Sequence, residues 1–139
     1  HVGRWPKNTD PKHVKLLGER HYREIPRILT NCHYLLFPSK NEACPNTVVE
    51  ALGAGVPVIY HPSGGTIELC EGDSYGIRLP EESSQNENLE HFISQARDNH
   101  RDLAKRLAKH CSKFGFQDCY DKYISFFELC CDSISPSSK

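Results

Sequence analysis

Up to about residue 80 the apolar residues fall in short unbroken runs, each closed by glycine, proline or a polar loop, and the stretches between the runs carry helical spacing. His13-Val14-Lys15-Leu16-Leu17-Gly18, Tyr34-Leu35-Leu36-Phe37, Val56-Pro57-Val58-Ile59-Tyr60 and Tyr75-Gly76-Ile77-Arg78-Leu79 read as buried strands. His1 to Pro6 reads as the end of a strand that precedes them. Between the runs, Ile25, Ile28, Leu29 and Cys32 stand at i, i+3, i+4 and i+7 of a helix over Glu24 to Cys32, with Pro26 tolerable only in its first turn. Thr47 to Leu52 is a second helix, stopped by Gly53 and Gly55, and Thr66 to Cys70 a third. Strands apolar on both faces, alternating with short helices, predict an α/β fold with a parallel sheet covered on both sides.

The pattern changes after the polar, acidic stretch Glu81 to Asn88. Leu89, Phe92, Ile93, Ala96, Leu103, Leu107 and Cys111 give one face of a long helix, and Gly115 interrupts it. Phe116, Tyr120, Tyr123, Ile124 and Phe127 restart the helical period as a second apolar face, which reads as a packing face. The Ser/Pro-rich tail from Ser133 to Lys139 reads as frayed. The expected division is a sheet domain over 1–80, C-terminal helices over 81–132 and a flexible tail over 133–139.

The 139 residues hold 17 Lys+Arg against 18 Asp+Glu, a formal charge of −1, with no basic block, so nucleic acid is not an expected partner. No apolar stretch reaches spanning length, so no transmembrane segment is expected. Seven cysteines, an odd number without small-scaffold spacing, several at apolar-periodic positions, predict reduced and mostly buried thiols in a cytoplasmic protein, the cytosolic face of a membrane included. The vicinal pair Cys130-Cys131 is read without a redox role. Eight histidines occur, but no Cys-x-x-Cys and no His-x-x-x-His, so no metal site is expected. The chain has no methionine, even at position 1, and opens on what reads as a strand end. It is therefore expected to be a piece of a longer polypeptide, with a sheet edge left uncovered and poor stability in isolation.

Candidate chemistry concentrates between Pro38 and Ile59. Ligands of a doubly wound sheet sit beyond the carboxyl ends of its strands, and Phe37-Pro38-Ser39 is such an end. Pro45 suits a first helical position, which leaves the amides of Asn46, Thr47 and Val48 free to meet a phosphate at the positive end of the helix dipole. Glu42 before this helix and Glu50 within it bracket that site, and carboxylates accept hydrogen bonds from sugar or ribose hydroxyls. This arrangement suits a nucleotide sugar.

On these residues the chain resembles the retaining GT-B glycosyltransferases, of the group 1, family-four type. Glu42 and Glu50 reproduce their Glu-x₇-Glu pattern. The run Val14 to Gly18, the helix Ile25 to Cys32, the block Glu50-Ala51-Leu52-Gly53-Ala54-Gly55-Val56-Pro57-Val58-Ile59, the loop Gly64-Gly65-Thr66-Ile67-Glu68-Leu69 and Gly76 fall in the family's order. The resemblance is close over residues 10 to 80. It implies a Rossmann-like, doubly wound sheet forming part of a C-terminal donor-binding domain and a nucleoside diphosphate sugar as donor. Glu50 would hold the ribose hydroxyls, and Glu42, with the backbone at Ala43 and Cys44, would lie beside the transferred sugar. The helix start after Pro45, with the amides of Asn46, Thr47 and Val48, would meet the diphosphate, and Arg20 would contact the base. It also implies retention of anomeric configuration without a metal or other cofactor, with Glu42 stabilising positive charge at the anomeric carbon.

The family's diphosphate-neutralising Arg and Lys lie upstream of the Val14 strand, and Arg4 stands too close to that strand to be the arginine. Those cations and the N-terminal acceptor-binding domain are therefore expected outside this chain, and the chain alone is expected to be inactive. Bland readings exist for the same residues: Glu42 as an acid favoured before a helix, Glu50 as a solvent-facing helix residue, Cys44 as a bystander and the glycines as turn formers. A non-catalytic nucleotide-binding or scaffold module that kept the fold is the alternative from another class. A GT-B epimerase or phosphorylase would need motifs that are not apparent.

Overall fold

A computed structural model describes residues 1–3, 10, 12–80 and 89–134. Arg4 to Thr9, Pro11, the polar stretch 81–88, residues 135–139 and the side chains of Leu89 and of residues 130–134 lie outside the described residues.

Three parallel strands form the sheet: β1 (Leu35–Phe37), β2 (Val58–Tyr60) and β3 (Gly76–Arg78), in that spatial order. Leu35 is in register with Val58 and Val58 with Gly76. Helices connect them, as parallel strands require. A 3₁₀ turn (Tyr22–Glu24) runs into α1 (Ile25–Leu29), α2 (Asn46–Gly53) joins β1 to β2, and α3 (Thr66–Leu69) leads to β3. The long α4 (Leu89–Ala108), a 3₁₀ turn (Cys111–Phe114) and α5 (Phe116–Ile134) follow. This is the expected α/β, Rossmann-like arrangement, with each strand shorter than its apolar run.

The core shows why the helical spacing mattered. Val48, Ala51 and Leu52 at i, i+3 and i+4 of α2 are fully buried and meet Val58 and Tyr60 of β2, with Leu29, Val56, Cys70, Tyr75 and Leu107 in the same cluster. Leu107 ties α4 to that core, so the C-terminal helices are continuous with the sheet's packing at this point. Ile59, between Val58 and Tyr60, takes the opposite face of β2 and shares a cavity with Phe92, Ile93 and Ala96 of α4. The hydroxyl of Tyr34 donates to the Ala96 carbonyl at 2.6 Å, fastening α4 beside the start of β1.

The helix expected over Glu24 to Cys32 divides because His21 caps a 3₁₀ turn first. Its Nδ1 accepts the Arg23 N–H at 3.3 Å, and the Glu24 carboxylate accepts the His21 N–H at 3.0 Å. Pro26 then falls in the first turn of α1, where its missing N–H costs nothing.

Four expectations need correction. Residues 14–18 are not a buried strand, since Val14 and Leu16 are exposed. They run beside the amino end of the chain, with the Leu17 N–H donating to the His1 carbonyl at 3.0 Å and the Gly3 N–H to the Gly18 carbonyl at 2.8 Å, and nothing among the described residues covers their outer face. The sheet is not covered on both sides along its whole width: Leu36 of β1 is 61% exposed, and the free edge of β1 opens on a cavity of about 600 Å³. His1, Val2 and Leu17 form part of that cavity's wall. The aromatic face of α5 does not pack, with Phe116 83% exposed and Tyr120, Tyr123 and Phe127 at least half exposed. Gly115 leaves the preceding turn in an extended conformation (ψ 155°) and directs α5 away from the core. Finally, α5 runs to Ile134, so Ser133 belongs to the helix and not to the tail.

Beside Tyr60 the sheet admits no extra carbon. A Cβ on Gly76 would stand 2.4 Å from the Val58 carbonyl oxygen and 3.1 Å from two ring carbons of Tyr60, while the Tyr60 hydroxyl is held by the Gly72 carbonyl at 2.7 Å. Gly76→Ala is expected to cost about 1–3 kcal/mol in denaturant unfolding, the usual penalty for overpacking a filled core. A midpoint unchanged from the parent would show that the β2–β3 ladder gives way freely.

Candidate donor-binding site

Because β1 and β2 are parallel neighbours, their carboxyl ends deliver the loops 38–45 and 61–65 to the same edge of the sheet. The pairing continues past the strands, with the His61 N–H donating to the Phe37 carbonyl at 3.2 Å. Helix α2 starts where the first of these loops ends. Pro45 is its N-cap (φ −74°, ψ 111°) and not its first helical residue, and its carbonyl accepts the N–H groups of Val48 at 3.0 Å and Val49 at 3.2 Å. This corrects the expectation for Val48: its amide is spent inside the helix and its side chain is fully buried. The N–H groups of Asn46 and Thr47 have no partner among the described residues, and both residues are exposed. A proline cap has no side-chain acceptor for them, so two amide donors and the positive end of the helix dipole face outward.

The two loops lie backbone on backbone. Gly65 donates its N–H to the Glu42 carbonyl at 2.9 Å, and a Cβ on Gly65 would fall 1.8 Å from the Ala43 carbonyl oxygen. A Cβ on Gly64 would fall 2.3 Å from the Glu42 carbonyl oxygen, and Gly64 also has φ +62°. Only glycine satisfies both conditions. Asn41 turns the opposite loop with φ +58°, a conformation asparagine tolerates better than most residues, and the Ser63 Oγ accepts its N–H at 3.0 Å.

The residues singled out from sequence are thus partly assembled. Glu42, Ala43 and Cys44 lie exposed on the loop that Gly64 and Gly65 support, immediately before Asn46 and Thr47. Glu50 is exposed and, with Thr47, lines the cavity beside the free edge of β1. Arg20 does not line that cavity and stands 3.8 Å from the Glu24 carboxylate. Asn41, His61 and Ser63 were missed by the sequence reading, since single polar residues in loops carry no periodicity. Thr66 was read only as a helix residue, yet its hydroxyl is fully buried at the start of α3 without a partner among the described residues.

The thiols also differ from expectation. Cys32, Cys44 and Cys119 are exposed, Cys111 is half-buried, and of the described thiols only Cys70 is buried. Cys32 lies beyond the end of α1, Cys44 in a loop and Cys119 on the unpacked α5, so apolar-periodic position did not translate into burial. Burial, with the charge of Asp73 adding to it, pushes the Cys70 thiol up to about 12. Among the described residues no cluster of three or more His, Cys, Asp or Glu side chains is placed to hold a metal ion, and no helix is long and apolar enough to cross a membrane.

A parallel α/β sheet with a helix amino terminus at the carboxyl end of a strand places the chain in the α/β, Rossmann-like class. Residues 7–118 match the family described as glycosyl transferases group 1, and the chain belongs to that family. It is 27% identical over 112 residues to an uncharacterized glycosyltransferase of Methanocaldococcus jannaschii, an alignment that takes in 81% of this chain and 31% of that protein. The chain therefore spans about a third of that relative's length. No solved structure matches it.

Alkylation at pH 8 is expected to modify Cys44, Cys32 and Cys119 in the native protein and to reach Cys70 only on unfolding, because the thiolate is the reactive form. Peptide mapping that finds native Cys70 modified as fast as Cys44 would contradict its burial.

Proposed function

We propose that this chain is the donor-nucleotide-binding portion of a retaining glycosyltransferase that transfers a sugar from a nucleoside diphosphate sugar to a carbohydrate or lipid-linked acceptor. The observation that carries the reading is the free pair of amides at Asn46 and Thr47, set between Glu42 and Glu50 in a chain of the group 1 family. The amides and the helix dipole would meet the donor diphosphate. Glu50, exposed within the same helix, would accept hydrogen bonds from the ribose hydroxyls.

Glu42 would lie beside the transferred sugar and stabilise positive charge as the bond from the anomeric carbon to the diphosphate oxygen breaks. The acceptor oxygen bonds to that carbon on the same face, and its proton passes to the departing diphosphate oxygen, so configuration is retained without an enzyme base. Arg20 would contact the base. No metal or cofactor enters the scheme. The remaining cations for the diphosphate and the acceptor-binding wall would come from outside these residues, in keeping with a chain that spans 31% of its relative.

The test is titration of the purified protein with a panel of nucleoside diphosphates and their sugars. Glu50→Ala is expected to weaken nucleoside diphosphate binding about tenfold or more, the scale of a lost hydrogen bond to a charged group. Unchanged affinity would remove Glu50 from the site. Glu42→Ala is expected to leave nucleotide affinity within about twofold and to lower turnover by about 10²–10³, the scale of a lost transition-state contact. Binding without turnover in the longest polypeptide that carries this sequence would instead favour a non-catalytic module.

A further inference from the structure

The loop that follows β2 holds the chain at Glu42 itself and at the residue before it. On one side the Ser63 Oγ accepts the N–H of Asn41 at 3.0 Å, and on the other the Gly65 N–H donates to the Glu42 carbonyl at 2.9 Å. The Ser63 Oγ also stands 3.1 Å from Nδ1 of His61. A hydroxyl that accepts from Asn41 has a proton to donate and a second lone pair, so either ring tautomer makes this contact: a bare Nδ1 takes the hydroxyl proton and a protonated one donates to the Oγ. His61 is itself fixed to the sheet, since its N–H donates to the Phe37 carbonyl at 3.2 Å. The result is a relay from the sheet to Glu42: β1 carbonyl, His61, Ser63, Asn41. The last link falls where the backbone of Asn41 turns through the left-handed region (φ +58°), so it fixes the loop at its tightest point.

We propose that Ser63, oriented by His61, is a positioning residue that sets where the Glu42 carboxylate stands relative to the sugar carried by the donor. The proposal rests on the reading of Glu42 given above. Ser63 touches neither nucleotide nor diphosphate in this scheme, for those fall to Glu50 and to the amides of Asn46 and Thr47. Its loss should therefore separate turnover from nucleotide affinity.

Two measurements on Ser63→Ala, Ser63→Thr and Glu42→Ala test this. Amide hydrogen exchange reads the relay without reference to any ligand. Exchange at Asn41 is expected to quicken about tenfold in Ser63→Ala, the scale of one lost hydrogen bond, and to return toward the parent rate in Ser63→Thr, which keeps the hydroxyl. Parental protection in Ser63→Ala would overturn the proposal. Steady-state transfer and nucleotide titration then read the consequence in the polypeptide that supports turnover. Ser63→Ala is expected to lower kcat about tenfold with nucleoside diphosphate affinity within twofold, and Ser63→Thr to recover most of the rate. If Glu42→Ala turns over like the parent, the reading of Glu42 falls. If Glu42→Ala is inactive while Ser63→Ala keeps the parent kcat, the reading stands and the positioning role falls. A Ser63→Ala variant that failed to fold would leave Ser63→Thr against Ser63→Val as the decisive pair, similar in volume and differing in the hydroxyl; equal rates in those two would overturn the proposal.

Discussion

Two stretches of backbone touch where the loops after β1 and β2 meet, and most of what this molecule could do with a ligand depends on that contact. The Gly65 N–H to Glu42 carbonyl bond of 2.9 Å is ordinary, but it forms only because neither Gly64 nor Gly65 carries a Cβ. Any side chain there would collide with a carbonyl oxygen, and carbonyl oxygens of an anchored loop cannot rotate aside as a long side chain can. The constraint is therefore steric first and electrostatic second. With the loops in contact, the chain from Asn41 to Pro45 is laid down in one conformation, and helix α2 begins at a defined place.

Helix α2 then serves two purposes with one set of residues. Its inner face, Val48, Ala51 and Leu52, supplies a large part of the core, while its first turn and Glu50 point outward at the sheet's carboxyl edge. Burial of the inner face fixes the axis of the helix and with it the direction of the free amides at Asn46 and Thr47. Donors fixed in this way by the hydrophobic core would need no ordering by the ligand proposed above. The cavity of about 600 Å³ beside β1 is lined by Thr47 and Glu50 of the same helix.

Sequence reading succeeded where a pattern was dictated by burial and failed where it was dictated by partners. The runs at Leu35–Phe37, Val58–Tyr60 and Gly76–Arg78 are parallel strands, as short apolar runs between helices predict, and Val58 and Tyr60 in the central strand are fully buried. The apolar spacing of α5 looks the same in sequence whether or not anything packs on it, and Phe116, Tyr123 and Phe127 stand exposed. Val14 and Leu16 misled for a related reason, since apolarity reports what a residue would gain by burial and not what is present to bury it. Among the thiols, Cys70 met the expectation because it falls within the core, and Cys44 did not because a loop at a sheet edge is exposed whatever its composition.

The order of elements from Ile25 onward, the family and the spacing of the two carboxylates were legible in the linear chain, because strand and helix periods and the Glu42–Glu50 spacing are local properties of consecutive residues. The place where α2 begins decided which amides remain free among the described residues, Val48 bonding Pro45 and Asn46 and Thr47 not. What no local stretch carries was settled by tertiary structure. It alone brought Ser63 and His61 under Asn41, residues about twenty positions apart that meet because β1 and β2 end side by side. Hydrogen bonds between loops are set by the register of the strands beneath them, and register is a property of the folded sheet that no single stretch of sequence carries.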